Sequence, residues 1–276
     1  LMSCLIGDGR IISKFKLIAD RELFMSTVIY FSGTGNSYHI AKQIAKHQNA
    51  QLISITDFDG KSINDDRVGF VFPIYCGELP RIVVEFLDRV VVRAKYIWAI
   101  ATSGGTVGTA FSSLDKSLRY NEMRLSFAEM MLMPDNSIIM SPRPGDVKSA
   151  LENEPILVQE VIRLIDEECQ NEYVVESFSG KTSKIQWASL KSVIRINNKK
   201  INHKTCSDCG ICIEICPMNN IVRVGEKIKI GPNCTNCFAC LHWCPTHSIK
   251  AGFLKVTSAS RYTHPSVMAK ELFRKT

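Results

Sequence analysis

At 276 residues, 45% hydrophobic and 22% charged, the chain is long enough for one or two packed domains, and its composition excludes disordered and collagen-like classes. Its net charge of +7 is unevenly divided: residues 181–276 hold sixteen Lys/Arg against four Asp/Glu (+12), and the first 180 hold eighteen against twenty-three (−5). No apolar run reaches the roughly 20 residues of a membrane span, and Asp8, Arg10, Lys14, Lys16, Asp20 and Arg21 break any signal-peptide pattern, so no membrane span and a cytoplasmic setting are expected.

In chain order, residues 1–25 read as an extension ahead of the fold, with Met25 just before the first strand. Short apolar runs rich in β-branched and aromatic residues then predict strands at 27–31, 51–55, 67–73, 96–102 and 124–133. Between them, 37–47 places Ile40, Ala41, Ile44 and Ala45 on one face, and 80–91 opens with Pro80 and groups Val83, Val84, Leu87 and Val91. A weaker helical pattern covers 107–119. Such alternation implies a doubly wound α/β domain with a parallel five-stranded sheet, spanning 26–180. Residues 134–146, with three prolines, read as a loop, and 147–170 as a helix interrupted or restarted at Pro155. The boundary to a second domain falls within 171–200, where Trp187, Leu190, Val193 and Ile194 suggest packing. The tail, 256–276, ends in a short amphipathic helical pattern read as packing.

Eight of the eleven cysteines lie between residues 206 and 244. In a chain without an export signal such a cluster points to metal rather than disulfides. Cys206, Cys209, Cys212 and Cys216 follow C-x2-C-x2-C-x3-C-P; adding 28 gives Cys234, Cys237, Cys240 and Cys244, and Pro217 maps onto Pro245. This duplicated run is that of bacterial ferredoxins, in which three close thiolates hold one 4Fe–4S cube and the fourth reaches the other. On that logic Cys206, Cys209, Cys212 and Cys244 hold one cluster, and Cys234, Cys237, Cys240 and Cys216 the second, within a small α+β domain at 195–255. Ile211, Ile213, Ile215, Phe238, Leu241 and Trp243 would screen the cubes from water. Structural zinc uses paired C-x2-C units and needs neither a third cysteine nor the repeated C-P. His242 and His247 read as surface or packing residues.

The stretch VIYFSGTGNSYHIA, 28–41, runs from strand through a hydroxyl-rich glycine turn into a helix, a build that holds phosphate. It lacks the lysine of a P-loop, and Tyr38 stands where a dinucleotide fingerprint needs a third glycine. With Ser32, Gly33, Thr34, Gly35, Asn36 and Ser37 it resembles the S-x-T-G-N-S/T loop of flavodoxins, which implies FMN. Two further loops, PIYCGELP (73–80) and TSGGTVG (102–108), follow predicted strands three and four. They resemble the flavodoxin loops that clasp the isoalloxazine ring. Tyr75 is the expected stacking aromatic, Gly77, Gly104 and Gly105 allow close approach, and Thr102 and Ser103 complete the set. Cys76 reads as a small buried residue rather than a redox group.

Residues 26–255 as a whole resemble the EFR-family ferredoxins, flavodoxin–ferredoxin fusions of anaerobic microbes, which also carry a segment like MPDN, 133–136. The resemblance implies an electron carrier joining two 4Fe–4S clusters to FMN, a converter between one- and two-electron chemistry. The basic second half suits an acidic redox partner protein rather than nucleic acid, since its cations are dispersed around cysteines. Two other readings stay open: a flavin oxidoreductase acting on a small substrate with electrons fed by the clusters, and a ferredoxin whose flavodoxin-like domain is an empty docking module. The sequence does not fix an oligomeric state.

Overall fold

A computed structural model describes residues 25–138, 142–172, 196–254 and 256–275. The first half forms β1 (Ser26–Tyr30), α1 (Asn36–Gln48), β2 (Gln51–Ser54), β3 (Ser62–Pro73), α2 (Arg81–Arg89), β4 (Val91–Ser103), α3 (Ala110–Arg119), β5 (Phe127–Leu132) and α4 (Pro144–Asp166). The strands make one five-stranded sheet ordered β2-β1-β3-β4-β5, every neighbouring pair parallel. This is the flavodoxin-like doubly wound order, and its switch point lies between β1 and β3, where such sheets bind ligands.

Both faces of the sheet are buried, so its central strands are apolar at nearly every position. Ile29, Phe31, Val68, Phe70, Phe72, Ile97 and Ala99 pack on the face covered by α2 and α3. Val28, Tyr30, Val71, Trp98 and Ile100 pack on the other, under α1 and α4. β3 and β4 begin about five residues earlier than their apolar runs do: Ser62–Asp65 pair with Val91–Ala94, anchored by buried Ile63 and Val92. Helix α4 runs unbroken through Pro155, contrary to the expected interruption. A continuous buried stripe of Ala150, Glu154, Val158, Val161, Leu164 and Ile165 outweighs the roughly 3 kcal/mol cost of an internal proline.

The second lobe contains β6 (Lys199–Ile201), α5 (Ile211–Glu214), β7 (Ile221–Val224), β8 (Lys227–Ile230), α6 (Ala239–His242) and β9 (Ile249–Ala251). The cysteine repeat is a repeat of structure. β6 and β8, α5 and α6, and β7 and β9 each start 28 residues apart, and the antiparallel pairs β6–β9 and β7–β8 exchange strands between the halves. Left-handed backbone recurs at the same spacing, at Asp208 and Asn236 (φ 58° in both), Gly210 and Phe238, and Asn219 and His247.

The lobes share a core. Ile215, Cys237 and Ala239 join the cluster on the α2/α3 face of the sheet. The Trp243 indole N–H donates to the carbonyl of Gly33 at 3.0 Å, and Arg81 donates to Asn233 at 2.7 Å. The C-terminal tail returns across the first lobe as an extended chain with two short 3-10 turns, Ser258–Ser260 and Ala269–Leu272. It is not the amphipathic helix expected: residues such as Tyr262 and His264 bond to the loops beneath, and its own bonds close only short turns. The expected N-terminal extension before Met25 and the packing residues of the inter-domain segment lie outside the described residues. Among the described residues no helix is long and apolar enough to cross a membrane.

Gly69 on β3 faces Trp98 on β4 in register, and a Cβ there would overlap the fully buried indole. Gly69→Ala is expected to destabilise the first lobe by about 3 kcal/mol through overpacking, read as a lower Tm by near-ultraviolet circular dichroism.

Candidate cofactor site

The β1–α1 loop turns on Gly35, whose φ of 105° suits glycine, and α1 begins at Asn36 with no acidic residue in its first turn. Its amides and positive dipole end therefore face the ends of β3, β4 and β5 without a competing carboxylate of their own. The Gly35 amide donates to Ser32 Oγ at 3.1 Å, and the hydroxyls of Ser37 and Thr102 meet at 2.8 Å. Ser32, Gly33, Thr34, Asn36 and Ser37 line one small pocket with Pro73, Ile74, Thr102, Ser103 and Gly104. The loops expected to act together after β1 and β4 thus converge.

The middle loop behaves differently. Tyr75 and Glu78 exchange backbone hydrogen bonds around Cys76 (φ 58°) and Gly77 (φ 74°), a tight turn that requires two left-handed residues. Cys76 at the tip is exposed, not the buried small residue expected. The Tyr75 ring packs edge-on against Phe31, at 6.4 Å between centroids, and belongs to the core fringe. Burial pushes its phenol well above the ordinary value, with the Cys237 thiol beside it adding to the rise. Tyr75, expected to stack on a flavin ring, lies partly buried against the core, with its hydroxyl beside Gly33. Gly104 and Gly105 are exposed on the rim, and a Cβ at Gly105 would meet nothing within 4 Å.

Three groups of residues around this pocket have no role assigned from sequence, although MPDN, 133–136, and His242 are noted there. Pro134, Asp135 and Asn136 close its far side. Asn136 donates to Thr34 Oγ1 at 3.3 Å, Asn36 donates to the Pro134 carbonyl at 3.1 Å, and burial raises the Asp135 carboxyl. From the tail, the Tyr262 hydroxyl donates to Asn36 Oδ1 at 2.8 Å and the His264 amide to the Thr34 carbonyl at 2.8 Å. His242, at the end of α6, bonds the Asn136 carbonyl at 3.0 Å and accepts from the Tyr262 amide at 3.1 Å. Every one of these links joins segments more than nineteen residues apart.

The donor set fits a phosphate monoester: hydroxyls, amides and a helix start, without a cation. Asp135 is the one group there that opposes an anion.

The eight repeat cysteines fall into two groups of four. Burial raises Cys212 to about 11, with Cys244, Cys209 and Cys206 its nearest thiols. Burial raises Cys237 to about 12 and Cys240 well above the ordinary thiol value, and the thiols beside both are Cys216 and Cys234. Cys216, Cys234, Cys237 and Cys240 line one cavity, the four sulfurs that the spacing reading assigns to the second cluster. Backbone amides point at sulfur with the period of the repeat, from Asn220 to Cys216 at 3.4 Å and from Ser248 to Cys244 at 3.3 Å. A metal bound among these sulfurs would supply the positive charge that makes buried thiols thiolates. One group is outer, with Cys209 exposed. The other is inner: a Cβ at Gly33 would stand 2.9 Å from the Cys237 carbonyl and 2.7 Å from the Tyr75 hydroxyl.

Glu154 on α4 is held by two histidines, His264 Nε2 at 3.0 Å and His39 Nε2 at 3.1 Å, whose rings stack 4.2 Å apart. His264 Nδ1 accepts from the Ser266 amide at 3.2 Å, so its Nε2 carries the proton and donates to Glu154. That tautomer leaves no lone pair for a metal at His264 Nε2, and the trio is a clamp fixing the tail over the phosphate loop.

Residues 198–245 match the family model described as a 4Fe–4S dicluster domain. No curated protein matches the chain. Among solved structures, a Bacteroides eggerthii protein described as a flavoprotein is 18% identical, with 48% of this chain and 97% of that one aligned at a TM-score of 0.33. The two-electron reduced flavodoxin of Megasphaera elsdenii is 17% identical, over 46% of this chain and 97% of that one, at 0.33. A Lactobacillus acidophilus flavoprotein in complex with FMN is 13% identical, over 39% and 93%, also at 0.33. The strand order carries the fold of the first lobe and the family match that of the second: the chain joins a flavodoxin-like domain to a 4Fe–4S ferredoxin domain.

Burial alone would raise the Glu154 carboxyl, but the hydrogen bonds from His264 and His39 bring it down to about 2. Its contribution to stability is complete above the ordinary carboxylate value and is lost as pH falls toward 2. Glu154→Ala strands two histidines and is expected to cost about 2–4 kcal/mol at pH 7, read as a lower Tm, with faster amide exchange in 262–267.

Proposed function

We propose that the chain is an electron-transfer iron–sulfur flavoprotein, holding two 4Fe–4S clusters in its crossed cysteine groups and FMN across the ends of β1, β3 and β4. The observation that carries this reading is the contact of Cys237 with Gly33, which sets one cysteine group directly against the phosphate-type loop. When bound, the clusters exchange single electrons and FMN takes one or two, which makes the pair a converter between the two kinds of chemistry.

The residues divide the work. Thr34, Asn36 and Ser37, all nearly inaccessible, present the phosphate donors; Trp243 and Tyr262 fix the loop that carries them. Gly105 leaves the rim open, whereas Gly104 lies close against Asp135. Ile215, Leu241 and Ala239 keep water from the sulfur ligands, and burial of this kind tunes potential. The exposed cations Lys200, Lys204, Lys227 and Lys229 belong to the cluster lobe, which suits an acidic redox protein docking near Cys209.

A second reading has an observation of its own. Ser37, Thr34 and Asn36 already bond to Thr102, Asn136, Pro134 and Tyr262, so the loop is satisfied by the protein itself. In that reading the first lobe is a docking module for a ferredoxin.

Anaerobic reconstitution with iron, sulfide and FMN separates the two. The converter reading expects stoichiometric FMN and a reductive titration in which flavin and iron–sulfur absorbance bleach together; a full iron complement with no retained flavin supports the docking module. Asp135→Asn removes the carboxylate from the pocket, and is expected to lower the FMN Kd roughly tenfold in fluorescence-quenching titrations.

A further inference from the structure

The duplicated lobe is nearly symmetric in backbone, and one buried charge breaks the symmetry. Lys199, at the start of β6, is 7% exposed. Its ammonium donates to Cys234 Sγ at 3.2 Å, Asn236 Oδ1 at 2.6 Å and the Ile196 carbonyl at 3.3 Å, and stands 4.6 Å over the Phe238 ring. Asn236 also turns its amide N–H toward Cys234 Sγ at 3.4 Å.

Twenty-eight residues on, the counterpart Lys227 is exposed on β8. The counterpart of Asn236 is Asp208, whose carboxylate is paired at 2.6 Å with Arg223 on the surface, a pair without net charge. Arg223 itself lies beside Cys206 and Cys212, but it is exposed and neutralised by Asp208. A further cation near the sulfurs among the described residues is Arg261, on the tail. It bonds the carbonyls of Leu241, His247 and Ile249 and lies beside Cys244 and Cys240, one from each group, so it does not distinguish them.

A cube gains one negative charge on reduction, and a desolvated cation bonded to one of its thiolates stabilises the reduced state more than the oxidised one. Solvent screens Lys227 and takes most of this effect away. Resting on the two-cluster reading, we infer that Lys199 makes the inner site (Cys216, Cys234, Cys237, Cys240) the higher in potential of the two. An electron delivered to the outer site by a one-electron donor protein would then pass inward, toward the phosphate loop. The outer site is oxidised by one electron and the inner reduced by one, with no bond or proton changing place. Lys199 acts through the thiolate it bonds and is a positioning residue.

The test is an anaerobic potentiometric titration of the reconstituted full chain, followed by electron paramagnetic resonance. Iron is counted first: wild type short of two clusters sinks the two-cluster reading and this inference with it. With both clusters present, Lys199→Met is expected to shift the partition of an electron between the sites at least tenfold away from the inner one, ~59 mV for a one-electron couple. The shift should come from a fall in the higher of the two potentials. Lys199→Arg should restore the separation, and Lys227→Met should move neither potential. An unchanged partition in Lys199→Met, a fall in the lower potential instead, or an equal shift in Lys227→Met overturns the inference. If Lys199→Met loses iron, Lys199→Gln is read in its place, and iron loss in both makes Lys199 a structural support and overturns it.

Discussion

Gly33 carries no side chain, and the contact between the two lobes is built on that fact. The Cys237 carbonyl and the Tyr75 hydroxyl both occupy space that a Cβ at Gly33 would need, and the Gly33 carbonyl accepts the Trp243 indole N–H. A phosphate-type loop needs small residues for the approach of its ligand; here one of them serves the approach of a neighbouring lobe instead. Because Cys237 is itself one of the inner sulfur ligands proposed, the distance between loop and cluster follows from a backbone contact rather than from flexible side chains. Such a contact is short, stiff and insensitive to rotamer changes, which suits electron transfer between fixed centres.

Around that contact the tail and the 133–136 segment act as braces. Tyr262 and Pro134 hold the two ends of the Asn36 amide, His264 and Asn136 hold Thr34 by its carbonyl and its hydroxyl, and His242 ties both braces to α6. The Glu154 clamp then fixes the tail to α1 and α4. The phosphate loop is thereby organised in advance by groups drawn from both lobes, and a ligand entering it meets donors already oriented.

The parts legible in sequence are those encoded locally. The five strands announce themselves as apolar runs because both faces of the sheet are buried, and the cysteine spacing fixes the crossed grouping because each C-x2-C loop is a self-contained turn. The polar beginnings of β3 and β4 escaped because Ser62–Asp66 and Arg93–Lys95 carry no apolar alternation; their pairing is stabilised by Ile63, Val92 and an ion pair between Lys95 and Asp66. Pro155 misled because local propensity was outweighed by a stripe packed on α1. Tyr75 carried the same ambiguity: an aromatic in a glycine turn reads as a ligand platform until a second lobe covers it. Lys199, Asp135 and the tail contacts had no local signal, because each is defined by a partner tens to hundreds of residues away.

Lys199 also bears on how the second lobe folds. A buried ammonium is costly unless paired, and its partners here are an amide, a carbonyl and one sulfur. Cys237 and Cys240 lie in the same pocket, and burial holds both far from ionisation. Thiols and ammonium thus fail for the same reason, the absence of compensating charge, and each failure is relieved by the same event. A metal cluster makes the sulfurs anionic, which gives Lys199 its counter-charge, while the lysine in turn offsets the excess negative charge of the thiolates. On the two-cluster reading, metal binding would be coupled to folding of this lobe, most tightly in the half that holds the buried charge.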